Sequence, residues 1–220
     1  PLAHVAERCA FNLILYYGGE FTFAHSLESF AENLMATQPD LFFAVPRIWG
    51  KFQEKILETI PQKKLSVLLS FPILNSIIKK KIKTKLGLAK ASFIWSGAAP
   101  ISADLQDWYS KIGLTILQIY GMTEDCCISH CNTPAYNKNG TVGKPAEGVT
   151  IKQSEDGEIL LHNNCLFKGY YKAPEITAAV FDEDGYFRTG DIGEYDEEGY
   201  LTITGRIKDQ FKTDKGKYIS

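Results

Sequence analysis

A chain of 220 residues that is 45% apolar and 23% charged, with a net charge of −2, has enough hydrophobic material for a core and too little charge for a disordered segment. No overall basic field points to nucleic acid, so a nucleic-acid partner is not expected. Five cysteines in odd number and without a CxxC pair read as reduced thiols of the cytoplasm rather than as a disulfide framework.

The chain opens with PLAHVAER, which lacks the basic start and apolar run of a signal peptide. With no initiator Met, and an end at Ser220 inside a polar stretch, a piece of a longer protein is expected. After Ser26, read as an N-cap, apolar residues recur at Leu27, Phe30, Ala31, Leu34 and Met35, the stripe of an amphipathic helix. LFFAV (41–45) is a short apolar run stopped by Pro46 and is predicted to be a buried strand. Residues 62–90 are predicted to be helical, and their apolar stretch at 65–78 is broken by Pro72 and Asn75, so it does not reach the roughly 20 residues of a spanning helix. Lys79–Lys85 holds five lysines. This segment is either a solvated helix end or a basic amphipathic patch that touches anionic lipid.

ASFIWSG (91–97) is the next predicted strand. Pro100 and Ser102 then open a helix with Leu105, Trp108, Tyr109 and Ile112 on one face, and LTILQIY (114–120) returns as a strand. Strand, helix and strand in that order predict parallel pairing in an α/β sheet. Composition shifts near residue 131, where CNTPAYNKNGTVGKPAEG reads as a linking loop. Beyond it, VTIKQ and EILLH flank SEDG, and YFRTGDIGEY and YLTIT flank DEEG. These predict two hairpins of a small antiparallel subdomain. Between them APEITAAV (173–180), with Pro at the first helical position, is a short helix. The expected division is an α/β portion over 1–130, a β-rich subdomain over 131–205, and a hinge over 206–220.

Three polar clusters sit where strands end. Small residues in SGAAP (96–100) let a flat ligand approach the backbone, at the strand ends where open α/β sheets bind ligands; a tight strand-to-helix turn needs the same residues. In YGMTE (120–124), Tyr120 offers a stacking face, Gly121 a tight turn, Thr123 a hydroxyl, and Glu124 a hard oxygen suited to Mg²⁺. In FRTGD (187–191) and GRIKD (205–209), Asp191 can take both hydroxyls of a ribose, and Arg206 can fork onto phosphate or ribose oxygens. Neither GxxxxGK[ST], GxGxxG nor GxSxG occurs, which argues against a Walker loop, a dinucleotide fold and a nucleophile elbow. The cysteine-rich run DCCISHC (125–131) invites a metal reading, but adjacent cysteines cannot easily face one ion. Cys126 and Cys127 are expected to behave as small buried hydrophobes.

In the order SGAAP, YGMTE, FRTGD, GRIKD, the sequence closely resembles adenylate-forming enzymes, the acyl-CoA synthetase and luciferase superfamily. PLAHVAER, VPRIW (45–49) and the lysine-rich segment resemble the long-chain fatty acid–CoA ligases within it. The resemblance covers essentially the whole chain. It implies a two-step reaction in which a fatty-acid carboxylate attacks the α-phosphate of ATP, and coenzyme A then displaces AMP from the acyl-AMP. It implies further that Gly97, Ala98, Ala99 and Pro100 line the adenine, with Tyr120 stacked on the other face. Thr123 would bind the α-phosphate, Glu124 the Mg²⁺, Asp191 the ribose hydroxyls, and Arg206 ribose and phosphate. His4 would lie near the acyl carboxylate, Lys208 at the hinge, and Lys212 would serve the second half-reaction.

The family's phosphate loop and its C-terminal domain have no counterpart in the 220 residues, so the chain by itself is expected to be inactive. Asp214 and Lys215 stand where many relatives have small residues. Two other readings remain: a ligase passing acyl-AMP to a carrier protein, and a non-catalytic module that binds acyl-adenylate.

Overall fold

A computed structural model describes residues 4–209, together with the backbone of 211–212 and 218–219. It is an α/β protein whose chain divides into two compact units, residues 14–118 and residues 1–13 with 119–220.

In the first unit, α2 (Phe30–Thr37) leads into β1 (Leu41–Ala44), and three helices follow: α3 (Pro46–Thr59), α4 (Gln62–Ser70) and α5 (Pro72–Leu86). Pro46 and Pro72 sit in the first turn of their helices, where the missing N–H costs nothing and the fixed φ favours helix. Strand β2 (Phe93–Ser96) pairs in parallel with β1 and with the start of β3 (Leu117–Tyr120). Between β2 and β3 lies α6 (Ala103–Lys111), capped by the Ser102 side chain, which accepts from the Leu105 N–H.

Trp49, Tyr109, Ile112 and Ile116 are fully buried in this core, each aliphatic side chain contributing roughly 1.5–3 kcal/mol by leaving water. The two aromatics bring polar atoms that must be satisfied. Trp49 Nε1 donates to the Ala44 carbonyl at 3.2 Å, and the Tyr109 hydroxyl donates to the Trp49 carbonyl at 2.6 Å. Gly87 ends α5 at φ 77°, and a Cβ there would lie 2.3 Å from the Leu34 carbonyl oxygen, so only glycine fits.

The predicted helix at 26–35 begins later than expected. Ser26 and Ser29 exchange backbone-to-hydroxyl hydrogen bonds at 3.0 and 3.2 Å, a local turn that competes with helix. Helix α2 therefore starts at Phe30, and Leu27 is exposed. Strands β2 and β3 are shorter than predicted, because 91–92 and 114–116 lie outside the parallel pairing.

In the second unit, α1 (Val5–Tyr16) begins the chain; its last three residues fall in the other unit. The end of β3 pairs antiparallel with β4 (His130–Cys131), which pairs with β5 (Lys144–Pro145). The stretch after 131 is thus not all loop, since β5 returns within it. Both predicted hairpins form: β6 (Thr150–Gln153) with β7 (Glu158–His162), and β8 (Phe187–Tyr195) with β9 (Leu201–Arg206). Pairing of β7 with β8 joins them into one four-stranded antiparallel sheet. The DEEG turn closes because Asp196 Oδ1 accepts from the N–H groups of Glu198 and Tyr200, each at 2.9 Å. The short helix α7 (Pro174–Ala179) falls where predicted.

Candidate functional site

The antiparallel unit gathers three of the residues singled out from sequence around one carboxylate. Asp191, on β8, is 4% exposed. Its Oδ2 accepts from the Tyr120 hydroxyl at 2.7 Å, and its Oδ1 accepts from Arg206 Nε at 2.7 Å. Tyr120 is the last residue of β3, and Arg206 lies directly across from Asp191 in the β8–β9 ladder. A register shift between Ile192 and Gly193 sets that pairing; such bulges re-aim side chains beside functional sites. Burial, and then the negative Asp191, push the Tyr120 phenol well above its ordinary range, so it remains a hydrogen-bond donor.

The turn that presents Asp191 is held from both sides. The Thr189 hydroxyl donates to the Ile159 carbonyl at 2.7 Å and accepts from the Asp191 N–H at 3.0 Å. Buried Glu158 accepts from the Gly190 N–H at 3.0 Å and pairs with Arg188 at 3.4 Å. Gly190 adopts φ 71°, a conformation that costs a side-chain-bearing residue about 1–2 kcal/mol.

After Tyr120 the chain turns sharply into a 3₁₀ turn, Thr123–Asp125. Gly121 is required there: a Cβ would sit 2.5 Å from the Cys127 Cα. Thr123 is exposed and Glu124 half-buried. Glu124 Oε1 accepts from the Tyr170 hydroxyl at 2.8 Å, and the Glu124 carbonyl accepts from the Phe167 N–H at 2.8 Å. One carboxylate oxygen is thereby anchored, and the other has no hydrogen-bond partner among the described residues. A single hard carboxylate oxygen beside the exposed Thr123 fits Mg²⁺, which binds through one or two carboxylates plus phosphate and water.

Asp125 is fully buried. Its Oδ1 accepts from the Met122 N–H at 2.8 Å, while its Oδ2 has no hydrogen-bond partner among the described residues. Burial raises its carboxyl to about 6, against the opposing pull of backbone N–H donors. Behind Tyr120, the buried His130 links Ser129 Oγ, 2.8 Å from Nδ1, to the Tyr195 hydroxyl, 2.6 Å from Nε2. Burial lowers the His130 imidazole to about 4, so it is neutral at physiological pH. The composition of DCCISHC hid this polar chain behind its cysteines, and Tyr170, 46 residues from Glu124, carries no local signal.

Cys126 and Cys127 are half-buried rather than core residues, both with φ near 57–58°. The Cys126 thiol donates to the Cys165 carbonyl at 3.5 Å, and Cys9 on α1 donates to the Cys126 carbonyl at 3.3 Å. Burial raises all three thiols, so they are not activated nucleophiles.

The remaining candidates stand elsewhere. In the parallel unit, Gly97 is buried just after β2, with Ala98, Ala99 and Pro100 exposed. Ala98 adopts φ 64°, and the buried Ser96 hydroxyl before it has no partner among the described residues. His4 is exposed before α1, and Lys208 is exposed in the 3₁₀ turn Ile207–Asp209. The backbone of Lys212 forms a short strand with Tyr218; its side chain, like Asp214, Lys215 and Pro1–Ala3, lies outside the described residues.

Replacing Asp191 with Asn separates binding from folding. An amide still accepts from Arg206 and can donate to the Tyr120 oxygen, so thermal stability should change little. If Asp191 takes two ribose hydroxyls, as the sequence resemblance implies, loss of its charge weakens both hydrogen bonds, each worth about 1.5–3 kcal/mol. ATP affinity of the enzyme containing this chain should then fall about tenfold to a hundredfold in calorimetric titration, and an unchanged affinity would remove the implied nucleotide role of Asp191.

A family model described as AMP-binding enzyme matches residues 1–171. Long chain acyl-CoA synthetase 3 of Arabidopsis thaliana is 31% identical over an alignment that takes in all of this chain and 38% of that protein. Long-chain-fatty-acid–CoA ligase 5 of Rattus norvegicus is 32% identical, with all of this chain and 36% of that protein covered. Among solved structures, ATP-bound MatB from Rhodopseudomonas palustris superimposes with a TM-score of 0.75 at 28% identity, covering all of this chain and 41% of that one. The chain thus spans about two fifths of the length of proteins it resembles.

Proposed function

This chain belongs to the AMP-binding enzyme family, and on that premise we propose that it supplies the adenosine- and metal-facing part of an ATP-dependent fatty acid–CoA ligase. The observation that carries the proposal is the buried Asp191 carboxylate held between Tyr120 and Arg206 at 2.7 Å each, with Glu124 anchored nearby in sequence by Tyr170.

In the first half-reaction a carboxylate oxygen attacks the α-phosphorus of ATP, forming the acyl–phosphate bond as the bond to pyrophosphate breaks. Both partners are anions, so positioning and charge neutralisation dominate. Asp191 exchanges its internal donors for ribose hydroxyls, and Arg206, released from Asp191, turns its guanidinium toward ribose and phosphate. Thr123 donates to the α-phosphate and the Tyr120 ring packs against the base; the resemblance also gives Gly97–Pro100 an adenine-lining role. Mg²⁺, when bound at Glu124, neutralises the charge that builds on the phosphates. His4 faces the acyl carboxylate, Lys208 provides the hinge, and Lys212 serves thioester formation from coenzyme A. An odd number of cysteines without a CxxC pair supports a cytoplasmic setting.

The long-chain ligase names of the relatives support a fatty acid as the acid substrate. Given ATP, Mg²⁺ and palmitate, the enzyme containing this chain should release pyrophosphate and, with coenzyme A added, form palmitoyl-CoA; acetate in place of palmitate should not support it. The 220-residue chain alone should release none, and substantial release from it would overturn that part of the reading.

A further inference from the structure

The parallel unit carries a surface that nucleotide chemistry does not use. Between Pro61 and Lys90 there are eight lysines and no acidic residue, in a chain whose net charge is −2. Among the described residues, no ion pair involves any of these lysines. Helices α4 and α5 pack on one another and meet at Phe71. Around that junction large apolar side chains face solvent: Val67 is 58% exposed, Phe71 54%, Ile73 78%, Leu74 41% and Ile77 54%. A soluble surface tolerates single apolar residues but seldom a contiguous group.

The pattern is graded along α5. Ile73, Ile77, Lys80 and Lys81 follow the i, i+4, i+7, i+8 spacing of one helix face, so that face is apolar at its N-terminal end and basic at its C-terminal end. Lys63 and Lys64 repeat the arrangement on α4, at the end away from Phe71. The groove beside this face has the same character. A cavity of about 590 Å³ between α3 and α5 is floored by Phe52, Ile56, Ile78 and Ile82 and rimmed by Lys55, Lys81 and Lys85.

We propose that the α4–α5 junction docks on an anionic lipid bilayer, with Phe71, Ile73 and Ile77 entering the headgroup–acyl boundary and the lysines contacting lipid phosphates and carboxylates. Charge complementarity selects this occupant. Lys63, Lys64, Lys80 and Lys81, without an ion-pair partner among the described residues, repel a second copy of the same face, whereas an anionic leaflet attracts juxtaposed lysines and accepts apolar side chains at the same depth. The helices lie on the membrane rather than cross it: among the described residues, none is long and apolar enough to span. This contact is independent of the ligase reading.

The test is co-sedimentation of the 220-residue chain with vesicles of phosphatidylcholine alone or with roughly a third phosphatidylserine. The chain should pellet with the anionic vesicles, and ionic strength of about 0.5 M should release it in part. The double substitution Lys80→Glu with Lys81→Glu should lower partitioning at least about tenfold. Ile73→Ser with Ile77→Ser should lower it while leaving the salt dependence unchanged. All four side chains are exposed or solvent-facing, so thermal unfolding should match the parent. Equal pelleting with neutral and anionic vesicles, no pelleting, or full binding by both double variants would each overturn the proposal. So would a dimer that the serine variant dissolves, which would make the face a self-association surface.

Discussion

Substituting Glu124 with Ala in the enzyme that carries this chain is expected to abolish Mg²⁺-dependent pyrophosphate release, by at least about a thousandfold. On the proposed metal role, the effect is large because the side chain is already held in place. Tyr170 fixes Oε1 at 2.8 Å, and the Phe167 N–H fixes the backbone carbonyl of the same residue at 2.8 Å. The second carboxylate oxygen is thus aimed without loss of rotamer entropy on metal binding. Alanine removes that oxygen, and added Mg²⁺ cannot restore it. Tyr170→Phe removes only one hydrogen bond to the carboxylate, contributing roughly 1.5–3 kcal/mol at most, so it should retain measurable turnover and regain part of its loss at raised Mg²⁺. Cys126→Ala and Cys127→Ala should keep most activity, since among the described residues the Cys126 thiol bonds only the Cys165 carbonyl and burial raises both thiols. Pyrophosphate release measured across a Mg²⁺ titration tests the whole set; a Glu124→Ala enzyme within tenfold of the parent would sink the metal role.

Legibility in the sequence followed the range of the interaction. Ser102 and the Leu105, Trp108, Tyr109, Ile112 face could be read because a cap and a helical stripe are local. The two hairpins could be read because SEDG and DEEG announce their turns. The start of α2 could not, because two serines three residues apart compete for the cap and only their mutual hydrogen bonds decide.

The candidate site divides in the same way. Asp191 and Arg206 each stood out as a charge at a strand end, but their pairing depends on the bulge at Ile192. Had the register from Tyr195↔Leu201 run on unbroken, Gly205 would face Asp191 and the guanidinium would project from the other face. Nothing in LTITGR signals that Thr204, between Ile203 and Gly205, is the extra residue. Tyr120 was expected to offer only its ring; that its hydroxyl also closes on Asp191 comes from packing between segments 71 residues apart. Asp125, beside the conspicuous Glu124, was passed over because burial, the property that makes it unusual, is not written in its neighbours.

Asp125 and His130 together are expected to flatten the acid limb of the stability curve, and removing one should expose the other. The folded state raises the Asp125 carboxyl from its ordinary value to about 6. Folding therefore binds a proton between about pH 4 and 6, and stability from this group falls as pH rises through that window. His130 works in the opposite sense. Its folded value drops to about 4, so folding releases a proton between about pH 6.5 and 4, and stability falls as pH is lowered through it. Each shift is close to two pKa units, worth about 3 kcal/mol at most, and over the shared window the two slopes nearly cancel. Asp125→Asn keeps an oxygen to accept from the Met122 N–H and removes the buried charge. At pH 7 the variant should be more stable than the parent by up to about 3 kcal/mol. On lowering the pH from 7 to 4 it should lose a similar amount through His130, while the parent stays nearly level. Urea unfolding of both proteins at successive pH values measures this directly. If Asp125→Asn gains nothing at pH 7, the carboxyl is not being held against its charge, and the unpartnered Oδ2 has found a donor in solution.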